Sequence, residues 1–92
     1  MIVSHFRKYR YKLKINKLVK AGLTIGIGHR IYTKFTFSEP YLITIGDYVS
    51  IGEYVQIITH DGAVWTLRHL KKNPKIDRFG KIKIGSNVFI GN

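Results

Sequence analysis

The residues able to do chemistry gather in Ile57-Ile58-Thr59-His60-Asp61-Gly62-Ala63 and in the stretch that follows. His60 carries an imidazole, a group that titrates near neutrality (about 6.5) and can take a proton from an attacking hydroxyl. A positioned base of this kind contributes about 10²–10⁴ in rate. Trp65 offers a flat ring that can stack on a sugar or cofactor, or can pin the loop that carries it. Arg68, His69, Lys71, Lys72 and Arg78 form a basic run, suited to a phosphate-bearing ligand or simply solvated. The chain has no cysteine, which removes disulfides and thiolate chemistry and fits a reducing compartment. No metal site is expected.

The element that must position these groups is a six-residue period. Ile45, Ile51 and Ile57 stand six apart, with Gly46 and Gly52 behind the first two and Val49 and Val55 four places after them. No helix repeats at six. The period suits a chain that runs straight for a few residues and turns a corner, three such flats making one triangular coil. The isoleucines then point inward, the valines take a second inward position, and Asp47, Tyr48, Glu53 and Tyr54 face water. The glycines follow because a Cβ there would crowd the next coil or forbid the backbone angle. Ile25, Ile31 and Phe37 begin the same series, with His29 and Phe35 at the second inward position. His29 is read as a corner or surface residue. Between Phe37 and Ile45 the spacing is eight, and Ser38-Glu39-Pro40 is turn chemistry that absorbs the surplus.

After Ile57 the period breaks and resumes only at Ile84. Residues 62–81 are expected to project as a loop from one corner, where function on a rigid scaffold tends to reside. Asp61 falls on the inward position, where a buried carboxylate is costly without hydrogen bonds. Either the coil has already opened into the loop, or loop amides hold Asp61 and it fixes the surroundings of His60. Neighbours in extended chain point opposite ways, so direct contact between the two side chains is not expected.

The hexads resemble those of the hexapeptide-repeat acyltransferases, and the Thr59-His60-Asp61-Gly62 segment resembles the sugar O-acetyltransferases among them, over roughly residues 22–92. The resemblance implies a mainly β fold, a left-handed parallel β-helix. It implies transfer of acetyl from acetyl-CoA to a saccharide hydroxyl of capsule, exopolysaccharide or lipopolysaccharide type. His60 would be the general base, in a site between subunits of a homotrimer. Asp61 and Trp65, beside it in the chain, are read from their own chemistry as the substrate-side residues. Asn87-Val88-Phe89-Ile90-Gly91 resembles the family's Asn-Val-Trp-Ile-Gly, which makes Phe89 a cofactor-side residue that keeps the ring and lacks the indole donor.

Ile84 to Phe89 completes a hexad and Ile90-Gly91-Asn92 starts another with no polar cap. The chain is therefore expected to be part of a longer enzyme, and an inactive truncated remnant is the competing expectation. A third possibility, nucleic-acid binding, draws on the net charge of +11 and six tyrosines. The tyrosines are scattered without a stacking platform, so no nucleic-acid partner is expected.

Residues 1–21 form the other unit, a helical cap ahead of the partial β-helix of 22–92. They hold seven of the sixteen basic residues and none of the five acidic ones. Ile2, Phe6, Tyr9 and Leu13, spaced four, three and four, share one helical face, and Gly22 is a credible stop. The helix can pack across the open end of the first coil, or lie on acidic lipid. No apolar run approaches the roughly 18 residues of a spanning helix, and no signal-peptide core is present. The expected location is the cytoplasm, peripheral to the inner membrane face.

Overall fold

The computed structural model describes residues 2–32, 34–68 and 78–92, with side chains from residue 9 onward. His69, Lys71, Lys72 and Pro74 of the basic loop lie outside these residues. Helix α1 (Ile2–Lys20) is followed by short strands β1 (Thr24–Ile25), β2 (Arg30–Ile31), β3 (Thr36–Phe37), β4 (Ile43–Ile45), β5 (Ser50–Ile51) and β6 (Gln56–Ile57). Helix α2 (Val64–Arg68) interrupts the series before β7 (Ile82–Ile84) and β8 (Phe89–Ile90).

The strands are dealt in rotation onto three parallel sheets, ordered β1-β4-β7, β2-β5-β8 and β3-β6. Partners in the first two turns are twenty positions apart, as Thr24 with Thr44, Arg30 with Ser50 and Thr36 with Gln56. The next turn pairs residues thirty-nine apart, as Ile45 with Ile84 and Ser50 with Phe89. Three hexads make eighteen residues, so the first turn carries two extra and the second twenty-one.

The six-residue anchors close the interior. Ile51 is completely buried, Ile45 and Val49 almost so, and Ile31, Phe35, Phe37, Ile57 and Ile84 join the same cluster. Asp47, Tyr48, Glu53 and Tyr54 face solvent. At Gly46 the requirement is space: a Cβ would lie 2.6 Å from Ser86 Oγ and 2.8 Å from the Gly85 backbone of the next turn. The left-handed backbone falls two residues later, at Tyr48 (φ 57°), Tyr54 (φ 61°) and Asn87 (φ 59°). Gly28 (φ 69°) holds the equivalent corner, and the Tyr48 ring lies where its Cβ would be.

Helix α1 corrects one expectation. Tyr9 and Leu13, assigned to its apolar face, are 63% and 51% exposed. Tyr11, Ile15 and Leu18 form the face that packs, with Ile15 inside the core cluster and the other two against it. Spacings of four and three fit this stripe as well as the other, so periodicity alone did not choose between them. The Tyr11 hydroxyl is hydrogen-bonded to His29 Nδ1 and accepts the Ile31 N–H at 3.3 Å, while Lys14 Nζ donates to the Phe35 carbonyl at 3.1 Å. His29 is thus a partner of the helix. The helix ends in a Schellman motif, with Leu23 N–H on Leu18 O and Gly22 N–H on Val19 O, both at 3.0 Å, and Gly22 at φ 109°. Among the described residues no helix is long and apolar enough to cross a membrane.

Candidate active site

The surplus residues of the first turn lie at the corner after β3. There Glu39 takes the left-handed conformation (φ 41°, ψ 68°), and Pro40–Leu42 makes one 3-10 turn closed by Leu42 N–H on Glu39 O at 2.9 Å. A non-glycine residue in that conformation costs about 1–3 kcal/mol and persists only where its surroundings over-determine it. The surroundings are the next turn of chain. Thr59, 3% exposed, donates its N–H to Ser38 Oγ (3.2 Å), and its hydroxyl lies 2.9 Å from Ser38 O and 3.3 Å from Glu39 Oε2. Ser38 in turn donates its N–H and its hydroxyl to Ile57 O, at 3.0 and 3.3 Å.

Because Thr59 points inward, His60 points out. Its Nδ1 lies 2.6 Å from Glu39 Oε1 and 3.2 Å from Oε2, with the His60 side chain 47% exposed and that of Glu39 17%. Desolvation is the largest single influence on the Glu39 carboxyl and pushes its pKa up. Hydrogen bonds from His60, Ser38 and Thr59, together with the charge of His60, outweigh it and hold the carboxyl below its ordinary value. Glu39 is therefore ionised at neutral pH. An ionised carboxylate can only accept, so the proton of a neutral His60 sits on Nδ1, and Nε2 carries the lone pair a base requires.

The loop leaves and returns at this point. His60 and Phe79 form an isolated antiparallel bridge, Asp61 N–H donates to Arg78 O at 2.9 Å, and Gly80 N–H donates to Thr59 O at 2.8 Å. The rings of His60 and Phe79 meet edge to face, 6.4 Å between centroids. Asp61 is exposed, not inward: the chain has opened by this position. Its Oδ1 accepts the Ala63 N–H at 2.9 Å, a local turn that leads into α2. Arg78 Nη1 is 4.0 Å from Asp61 Oδ2, with both side chains well exposed, a pair that contributes little in water. Val64 is buried and anchors α2, while Trp65 is 61% exposed.

Glu39, His60, Asp61, Val64, Trp65, Arg68, Arg78 and Phe79 line one open pocket of about 280 Å³. His60, Asp61 and Trp65 are thus brought together. Phe89 is not: it lies 70% exposed on β8, in the second sheet, and lines no part of this pocket. Glu39 is the pocket residue that the sequence reading took for turn chemistry alone. Its signal was available, since a turn of eighteen residues plus two places residue 39 beside 59 and 60. No group of three or more His, Cys, Asp or Glu among the described residues could hold a metal ion.

His60, with Nδ1 held by an ionised carboxylate and its ring facing an open pocket, has the geometry to accept a proton at Nε2. The chain that carries it is 49% identical over 82 residues to Protein CapG of Staphylococcus aureus, an alignment covering 86% of this chain and 46% of that protein. The chain therefore spans about half the length of this curated relative. No family model matches the chain, and no solved structure matches it.

Proposed function

We propose that the chain is part of a hexapeptide-repeat acyltransferase, a left-handed parallel β-helix that transfers acetyl from acetyl-CoA to a hydroxyl of a capsule-type saccharide. The observation that carries the chemistry is the Glu39–His60 pair at 2.6 Å. Three parallel sheets visited in rotation, with anchors six residues apart within each turn, support the fold, and the likeness to Protein CapG is consistent with a capsule-related role.

In this reading His60 Nε2 removes the proton of the acceptor hydroxyl as its oxygen attacks the thioester carbonyl. The tetrahedral intermediate collapses, the carbon–sulfur bond breaks, and the proton passes from His60 to the departing thiolate. Glu39 touches neither reactant. It holds the ring and its tautomer and stabilises the imidazolium that forms between the two steps. A pocket of about 280 Å³ lies just under the usual range for ligand sites, about 300–1,000 Å³. It suits a sugar ring stacked on Trp65 with the acetyl group beside it, and the length of the coenzyme would run outside. Phe89 would then serve a neighbouring subunit's site in a homotrimer.

Release of coenzyme thiol from acetyl-CoA, followed against a panel of capsule-type saccharides, tests the reading. In a full-length version His60→Ala lowers turnover by at least about a hundredfold; an unchanged rate disposes of the assignment.

A further inference from the structure

Helix α1 carries two apolar stripes, and only one of them is used. With 3.6 residues per turn, Tyr11, Ile15 and Leu18 span a sector of about 60°, and Tyr9 and Leu13 lie about 180° from it. The first stripe packs on the protein core. The second faces solvent, with Tyr9 63% and Leu13 51% exposed. The spacing of four, three and four puts positions 2 and 6 in line with it. Arg10, Lys12, Lys17 and Lys20 are exposed along its flanks and end, and no acidic residue occurs in positions 1–20. Lys14 belongs to the inner side, donating to the Phe35 carbonyl.

We infer that the outer face of α1 is a docking surface for an anionic lipid bilayer, lying in the plane of the headgroups. A stripe of one leucine and one tyrosine between cations matches an interface where rings and short aliphatic chains enter the acyl boundary and lysines reach back to phosphate. The charge decides between occupants. A second copy of this chain would bring the same cationic face and be repelled. A nucleic acid would satisfy the cations and leave Tyr9 and Leu13 in water. An anionic bilayer takes up both, each basic residue near its surface contributing about fivefold in partitioning, or about 1 kcal/mol. The inner stripe keeps the helix on the first turn of the fold, so the surface is present without any refolding. The proposal stands apart from acetyl transfer, and neither falls with the other.

Co-sedimentation of the full chain with vesicles, at physiological ionic strength, is the test. Vesicles of phosphatidylcholine mixed with phosphatidylglycerol bind at least about tenfold more tightly than phosphatidylcholine alone. Lys17→Ala and Lys20→Ala each weaken that binding about fivefold. Tyr9→Ser combined with Leu13→Ser leaves every charge in place and weakens it at least about tenfold, with an unchanged thermal midpoint because both side chains are already exposed. Equal binding to the two vesicle types overturns the proposal. So does full binding by the Tyr9/Leu13 variant, or self-association in sedimentation velocity that this variant abolishes. Tighter binding to duplex DNA than to the anionic vesicles, indifferent to the Tyr9/Leu13 change, assigns the face to nucleic acid instead.

Discussion

Replacing Glu39 with Gln separates a base that is held from one that merely sits in a pocket. The substitution keeps size and removes charge. In the native pair the Nδ1-to-Oε1 distance of 2.6 Å is at the short end of charge-assisted hydrogen bonds. A glutamine side chain offers either its oxygen to Nδ1–H or its amide to a bare Nδ1, and the second arrangement moves the proton to Nε2, where it blocks proton abstraction. The loss cannot exceed the whole contribution of His60, about 10²–10⁴. Nor does it approach that ceiling, because the His60 side chain is 47% exposed and water can replace part of what the carboxylate does. On the proposed acetyl-transfer reading, in which Glu39 touches neither reactant, kcat falls about ten- to a hundredfold and KM for acetyl-CoA stays within about twofold.

Steady-state thiol release gives the two constants, and nitrogen-detected NMR of the imidazole reads the tautomer without any substrate. In the native chain the proton resides on Nδ1 at a pH where the ring is neutral; in Glu39→Gln it is shared between the nitrogens. A native-like kcat in Glu39→Gln, alongside a collapsed one in His60→Ala, would leave His60 as a base that needs no positioning. An Nδ1 proton as fully populated in Glu39→Gln as in the native chain would show that the carboxylate does not set the tautomer.

Thr59→Val removes the buried hydroxyl between Ser38 and Glu39 and should cost about 0.5–1.5 kcal/mol in urea unfolding, lowering kcat more than it raises KM. Ile51→Ala, at a fully buried site, should cost about 2–5 kcal/mol, read as a lower urea midpoint. Gly28→Ala places a Cβ in left-handed backbone, about 1–2 kcal/mol, and against the Tyr48 ring; a thermal midpoint unchanged from the native one would show that the corner relaxes freely. Burial raises the Tyr11 pKa, with the Ile31 hydrogen bond opposing it. Neutral Tyr11 therefore stabilises the fold below the ordinary tyrosine value, a contribution lost as pH rises through the folded value, and Tyr11→Phe should flatten the alkaline limb of stability against pH. Glu39 runs the other way, its depressed value adding stability above the ordinary carboxylate range that is lost on acidification through the folded value; Glu39→Gln should remove that part of the acid limb.

The strands were legible because their information is local and repeated. Each anchor needs one aliphatic residue at the right interval, and Ile25, Ile31, Phe37, Ile45, Ile51, Ile57 and Ile84 announce it. The helix was legible in extent and not in orientation. Its two stripes fit the spacing alike, and what chose Tyr11, Ile15 and Leu18 was tertiary: a histidine and a backbone amide of the first turn for the Tyr11 hydroxyl, and a place for Ile15 in the core cluster. His60, Asp61 and Trp65 could be grouped because they are near in sequence. Glu39 could not be read that way, since twenty-one positions separate it from His60 and only the length of a coil turn makes them neighbours.

That separation points to how the site is built. The first turn departs from the hexad between Phe37 and Ile45, the second between Ile57 and Ile84, and both departures fall at the corner between the third sheet and the first. Stacked turns put like corners above one another, so the small bulge lies under the neck of the long loop. The bulge supplies Glu39, in left-handed backbone one residue earlier than the regular corners place theirs, and the loop supplies the walls, from Trp65 on α2 to Arg78 and Phe79 on the returning chain. Neither insertion forms the pocket alone. Deleting two residues from 38–42 to restore a spacing of six would keep the strands in register and leave His60 exposed without its carboxylate. Its expected result is a folded chain with the rate of Glu39→Gln or lower, whereas a chain that fails to fold would mean that the bulge also serves the core.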